Sequence, residues 1–139
     1  MQTKYVFGRY DPQENILQLY HPNPMVLNST SILTEFFKEV TYWIKSCPTK
    51  PYLLVNYTNV DISVEMTNQY AEELKKYRPL VLGVVRYGIS DSLSGRFTAM
   101  AVRMGNMRTA ANSNIYPDEA SARAALQQLK QSGLTQASQ

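Results

Sequence analysis

Short apolar runs alternate with longer apolar stripes along this chain, and the first runs predict a β-hairpin. YVFGRY (5–10) and ILQLY (16–20) have the length and the aromatic and aliphatic content of strands. The intervening DPQEN contains proline, aspartate and asparagine, which are turn-forming residues. HPNP (21–24) then interrupts regular structure, because two prolines fix φ and remove hydrogen-bond donors.

Later segments carry apolar residues three and four positions apart, which is the spacing of amphipathic helices. A serine or threonine of residues 29–31 can cap the first helix, which ends at Cys47 before a proline. The second helix runs over about 63–77, and Asp91 or Ser92 can cap the third. The apolar side of the third helix comprises Leu93, Phe97, Met100, Ala101 and Met104.

The last helix has a strong start signal. Pro117 suits the first helical position, and Asp118 and Glu119 favour the positive end of the helix dipole. An alanine- and leucine-rich stripe continues to about residue 131. We expect the remaining residues, 132–139, to form a disordered tail.

Buried strands between these helices predict the fold class. PYLLVNY (51–57) and PLVLGVV (79–85) are continuous apolar runs, and we expect a final strand within 109–116. The order β-β-α-β-α-β-α-β-α requires parallel strands joined by helical crossovers. The sequence therefore predicts one α/β domain, residues 1–131, with a mixed, mostly parallel sheet of about five strands covered by helices and an antiparallel first strand.

Composition narrows the chemistry. The chain has 139 residues, of which 44% are hydrophobic and 18% charged, an ordinary globular composition. A single cysteine, Cys47, and a single histidine, His21, give neither an internal disulfide nor a zinc cluster, so we expect no metal and no cofactor. The N-terminus lacks the apolar core of a signal peptide, and no apolar run is long enough to span a membrane. We therefore expect a cytoplasmic protein.

Positive charge is concentrated in the second half of the chain. Five arginines and one acid, Asp91, lie between Arg78 and Arg108, and the net charge is +3. This implies a modest basic face, which is too small to indicate nucleic-acid binding without aromatic or glycine-rich support.

The segment RYGISDSLSGR (86–96) is the strongest candidate for a binding loop. It leaves the carboxyl end of a predicted parallel strand, where ligands of open α/β sheets bind, and it leads into a helix N-terminus. An ordinary capped helix start with solvated arginines is the alternative. The candidate ligand- or partner-binding residues are Arg86, Tyr87, Ser90, Asp91, Ser92 and Arg96.

Catalysis is not indicated by any constellation of residues. His21 lies next to prolines and is typical of surface or loop packing, and Cys47 has no evident base. A small-molecule site remains an alternative function. It would bind an anion at the Arg86 to Arg96 loop, or a lipid-like apolar ligand near Met100 and Met104.

The chain resembles a known group of regulatory domains. YLLVNYTNV (52–60) and IYPDEASARAAL (115–126) are similar to the corresponding parts of STAS-like domains of the SpoIIAA-like class, relatives of bacterial anti-sigma-factor antagonists. The resemblance covers residues 5–131. It implies a non-enzymatic regulatory or protein-interaction module of the bacterial cytoplasm, whose partner is a kinase-like or sigma-related protein or a second copy in a homodimer.

The resemblance also directs attention to Ser63. In phosphorylatable antagonists, a serine at the start of the corresponding helix accepts phosphate, and the pattern falls here near Val64 and Glu65, where no serine stands. Ser63 becomes the candidate phosphoacceptor if the loop is one residue shorter. It is also the natural N-cap of that helix, and Glu65 supplies a permanent negative charge nearby.

Overall fold

A computed structural model describes residues 2–105 and 114–132 of the chain. The strands are β1 (Phe7–Asp11), β2 (Ile16–Tyr20), β3 (Met25–Leu27), β4 (Tyr52–Asn56), β5 (Val60–Ile62), β6 (Gly83–Tyr87) and β7 (Ile115–Tyr116). The α-helices are α1 (Thr30–Lys45), α2 (Thr67–Tyr77), α3 (Leu93–Gly105) and α4 (Glu119–Gln131). Two short 3₁₀ helices, Val64–Met66 and Arg78–Leu80, flank α2.

The main sheet confirms the predicted α/β class. Its five strands lie in the order β1-β2-β4-β6-β7, with β1 antiparallel to β2 and the other neighbours parallel. Crossover connections between parallel strands are almost always right-handed. When successive crossovers also move in the same direction across the sheet, their helices lie on the same face. Accordingly, α1, α2 and α3 share a core on one face, and α4 covers the other.

The central strands are buried on both faces, and their side chains alternate between the two cores. In β4, Leu53 and Val55 face α1, α2 and α3, whereas Tyr52 and Leu54 face α4. The parallel register pairs Val55 with Arg86 of β6. Because neighbouring residues in register point to the same side of a sheet, Arg86 also faces the three-helix side.

A second, two-stranded sheet was not expected from the sequence. No strand was predicted between the run 51–57 and the helix that begins at about residue 63, yet β5 lies there and pairs in parallel with β3, so that Met25 lies opposite Val60. Three-residue strands give too short an apolar run to be recognised. Asn59 supports the pairing. It adopts a positive φ of 77°, and its side-chain amide donates a hydrogen bond to the His21 carbonyl at 2.9 Å.

Several predicted boundaries shift. β6 begins at Gly83 and not at residue 79, because a 3₁₀ helix occupies Arg78–Leu80. In α4 the side chain of Asp118 is the N-cap and accepts a hydrogen bond from the Ser121 amide, which places Pro117 before the helix. The predicted last strand is reduced to β7 within the described residues; 106–113, like the tail from 133 onward, lie outside them.

The N-terminal segment is fixed to α1 by one buried carboxylate. Oε1 of Glu39 accepts hydrogen bonds from the backbone amides of Lys4, Tyr5 and Val6 at 2.9, 2.7 and 2.8 Å. Nε1 of Trp43, one turn later, donates to the Val6 carbonyl at 2.9 Å. The segment that precedes β1 therefore takes its hydrogen bonds from a helix and not from a neighbouring strand.

Glu39→Ala should lower the free energy of unfolding by about 3 kcal/mol, because three backbone amides, of which that of Val6 is buried, lose a charged acceptor. Urea denaturation measures this loss. Glu35→Ala is the matched control on the same helix. Glu35 is exposed and, among the described residues, makes only an i,i+3 ion pair with Lys38, so its loss should change stability by less than about 0.5 kcal/mol. Equal effects of the two substitutions would contradict the anchoring role.

Candidate functional site

The loop after β6 is tightly folded around hydroxyl groups. Gly88 adopts a φ of +87°, which favours glycine. The hydroxyl of Ser92 lies 2.6 Å from that of Ser90 and 3.2 Å from that of Ser94. The Ser92 hydroxyl also accepts a hydrogen bond from the Gly95 amide at 3.1 Å, so Ser92, and not Asp91, caps α3.

α3 is buried through small residues and not through the apolar side predicted from the sequence. A Cβ at Gly95 would overlap the Ser90 carbonyl oxygen, and one at Gly105 would lie 2.9 Å from Cβ of Leu74. The hydroxyl of Thr98 accepts from the Ile62 amide at 3.1 Å. The buried residues of the helix are Gly95, Thr98, Ala101, Val102 and Gly105.

The large apolar residues of α3 consequently form an outward stripe. Leu93, Phe97, Met100 and Met104 are spaced by four, three and four residues and share one side of the helix. Leu93 exposes 68% and Met100 39% of its surface, while Phe97 and Met104 are half-buried. Of the sequence-predicted stripe, Ala101 alone is fully buried. We call these four side chains the α3 face.

Two arginines flank the α3 face. Arg96 and Arg103 are seven residues apart, two turns along the same flank, and both are exposed. In residues 2–105 and 114–132, neither forms an ion pair with an aspartate or glutamate. The α3 face is thus an apolar stripe that has two arginines along one side and the serine-rich loop at its N-terminal end.

The structure separates the predicted loop residues into three environments. Ser90, Asp91, Ser92 and Arg96 lie at the exposed start of α3. Tyr87 instead donates to Oε1 of Glu119 on the α4 side at 3.3 Å, and burial, followed by the Glu119 charge, raises its pKa.

Arg86 points into the protein. It is only 5% exposed and lines an interior cavity on the three-helix side, whereas Arg96 is exposed to solvent. The expectation of a single anion site formed by both arginines is therefore wrong, because strand alternation turns Arg86 inward while Arg96 lies on the surface of α3.

The interior cavity has a volume of about 70 Å³ and lies between the sheet and the helices. Its apolar lining includes Leu19, Phe36, Phe37, Leu53, Val55 and Val84. Its polar lining comprises His21, Tyr57, Tyr70, Tyr77, Arg78 and Arg86. The predicted apolar pocket near Met100 and Met104 is not this cavity, to which α3 contributes only Gly105 among the described residues.

His21 is part of the core and not of the surface, contrary to the sequence interpretation. Its ring stacks on Phe36 with centroids 5.3 Å apart, and Nδ1 lies 3.1 Å from the Tyr5 carbonyl oxygen. Burial lowers the pKa of His21 to about 4, against the opposing effects of the Tyr5 carbonyl and the Glu39 charge. A carbonyl only accepts, so Nδ1 carries the hydrogen of the neutral ring and Nε2 is an acceptor.

Ser63 does not have its expected capping role in this structure. It occupies the position before the 3₁₀ helix Val64–Met66, but its side chain makes no capping hydrogen bond. Its hydroxyl is buried and has no hydrogen-bond partner within the part of the chain that the structure describes. The phosphoacceptor role would require this hydroxyl to become exposed, and it stays a prediction.

The remaining candidate groups give no catalytic or metal site in the described ranges. The Cys47 thiol donates to the Trp43 carbonyl at 3.5 Å, and burial raises its pKa, which disfavours the reactive thiolate. No group of three or more potential metal ligands occurs among the described residues. No helix in residues 2–105 and 114–132 is long and apolar enough to cross a bilayer.

Comparison with models of known protein families and with curated proteins finds no match. The resemblance to STAS-like domains therefore remains a prediction.

His21 should make stability dependent on pH between its ordinary pKa of 6.5 and about 4. In this window the unfolded chain binds a proton at His21 that the folded protein does not, so the free energy of unfolding falls as pH falls, by about 3 kcal/mol in total. The slope fades as pH rises above 6.5, because His21 is then neutral in the unfolded chain as well. Urea denaturation at a series of pH values measures the effect.

The matched variant for this measurement is His21→Asn, whose amide can still donate to the Tyr5 carbonyl but does not titrate. Between pH 6.5 and 4, the free energy of unfolding of this variant should fall less than that of the unmodified protein. The difference between the two declines is the contribution of His21. An identical decline in both proteins would show that His21 is not buried in the neutral form.

Proposed function

We propose that this chain is a non-enzymatic, STAS-like protein-interaction module of the bacterial cytoplasm, and that it binds its protein partner through the α3 face. The observation that carries the proposal is the orientation of α3. Its smallest residues are buried, while Leu93 and Met100 are exposed on the opposite side. Grouped apolar side chains with a polar surround are typical of protein-interaction surfaces.

The flanking charges support a partner with an acidic surface. Arg96 and Arg103 lie beside the stripe, and the only acidic residue between Arg78 and Arg108 is Asp91. Opposite charge on a partner would orient it during association and would increase the association rate at low salt. A kinase-like or sigma-related protein, or a second copy of the chain, is the partner class that the resemblance implies.

Chemistry favours binding over catalysis. The sole histidine stacks on Phe36 in the interior, and the sole cysteine is held on the Trp43 carbonyl at the end of α1. The serine cluster of the α3 loop bonds within itself and to the Gly95 amide, and no base contacts it among the described residues. A nucleophile without a neighbouring base is weak.

A photo-reactive benzophenone side chain in place of Leu93 should form a covalent adduct of defined mass in cells that produce the protein, because it lies on the α3 face. Adding Met100→Asp should reduce the adduct by more than about tenfold, since it places a charge in the apolar contact. Denaturing gel electrophoresis and mass spectrometry measure the adduct and show whether the partner is a second copy.

The control places the same benzophenone at Gln128, an exposed residue of α4 on the opposite face of the sheet. It should give no such adduct. Met100→Asp should leave the melting temperature nearly unchanged, because the residue is on the surface. An equal adduct from Gln128, or none from Leu93, would refute docking on the α3 face.

A further inference from the structure

The interior cavity is lined by ionisable side chains that packing of the core does not require. Arg86 is 5% and His21 4% exposed, and both line it together with half-buried Arg78. Burying charged groups costs free energy that apolar residues of similar size would not cost. Groups of this kind in an otherwise apolar pocket are typical of sites that orient a small ligand.

The two guanidinium groups give the cavity a positive end. Arg78 and Arg86 both line the cavity, and the pKa of Arg78 is lowered by burial and then by repulsion from the Arg86 charge. No aspartate or glutamate of the described residues forms an ion pair with Arg78. A carboxylate bound near both would relieve the repulsion and accept their hydrogen bonds.

His21 gives the cavity an acceptor that is not satisfied. Nε2 is buried and has no hydrogen-bond partner in the described parts of the chain. Nδ1 is committed to the Tyr5 carbonyl at 3.1 Å, which leaves Nε2 as the lone-pair nitrogen of the neutral ring. An unsatisfied buried acceptor is costly, and a ligand hydroxyl that donates to it would remove that cost.

Size and lining restrict the ligand further. An apolar cavity of about 150 Å³ holds benzene, so a cavity of about 70 Å³ takes a ligand of no more than about six non-hydrogen atoms. Phe36, Phe37 and Leu53 in the wall favour a carbon skeleton over a fully polar anion such as inorganic phosphate. Arg78 and Tyr77 are half-buried, so this side of the cavity is the nearest to solvent.

We propose that the cavity binds a small hydroxycarboxylate of two or three carbons, with its carboxylate toward Arg78 and Arg86, its hydroxyl donating to Nε2 of His21, and its carbon skeleton against Phe36. This inference stands apart from docking on the α3 face, since the cavity and that face share no residue.

Isothermal titration calorimetry of the full chain with glycolate and with lactate tests the proposal. At least one should bind with a stoichiometry of one, and the corresponding acid without the hydroxyl, propionate for lactate, should bind at least about tenfold more weakly, because the His21 acceptor is then left unpaired. Inorganic phosphate and the uncharged amide of the best hydroxy acid should not compete.

Arg78→Gln should weaken binding of the best hydroxy acid by about tenfold or more, and Arg9→Gln, an exposed arginine of β1, should leave it unchanged. His21→Asn should remove the preference for the hydroxylated ligand. Circular dichroism verifies that each variant is folded.

Absence of saturable binding by both hydroxy acids would overturn the proposal. Equal affinity for propionate and lactate would overturn the assigned role of His21, and phosphate binding at least as tight as that of the hydroxy acids would overturn the ligand class.

Discussion

The parallel pairing of β4 with β6 is the constraint from which most other features of this fold follow. These strands lie second and third from one edge of the main sheet and are covered on both faces. Leu19, Val55 and Arg86 occupy one row across β2, β4 and β6. Because a strand alternates its side chains strictly, a register that buries Val85 against α4 must direct Arg86 into the opposite core. A charged residue thereby enters the interior through backbone pairing.

Close packing of α3 is the second consequence of the crowded three-helix face. A side chain at Gly105 would meet Leu74 of α2, and one at Gly95 would overlap the Ser90 carbonyl of the loop that leads into α3. The Thr98 hydroxyl, on the same helix, satisfies a buried amide of β5. Close helix approach selects small residues, while the larger residues of the same helix must lie elsewhere. Leu93 and Met100 are therefore exposed because the opposite side of the helix, which is formed by small residues, is the side that packs.

Local periodicity was sufficient to predict the hairpin, four helices and a mixed sheet, because each of these leaves a repeated signal in the sequence. It failed where a contact between distant segments decides the outcome. The apolar stripe of α3 was predicted to be the packed side, since periodicity does not reveal how closely another helix approaches. Arg86 was assigned to a loop because the predicted strand ended at residue 85, and two further residues of β6 were enough to reverse its environment. His21 follows a strand that the sequence did predict, but its burial depends on Phe36 and the N-terminal segment.

Glu39 and His21, two buried polar residues that contact the N-terminal segment, show how a structural role differs from one that indicates a ligand. Glu39 is 5% exposed, and its carboxylate accepts hydrogen bonds from three backbone amides that have no neighbouring strand. That cluster is explained by the fold alone, since donors and acceptor satisfy one another. His21 is equally buried, yet it uses one nitrogen on the Tyr5 carbonyl and leaves the other within the cavity lining without a described partner. The hydrogen bond to the Tyr5 carbonyl accounts for one nitrogen of the imidazole, but neither that bond nor packing on Phe36 accounts for a buried Nε2 without a described partner.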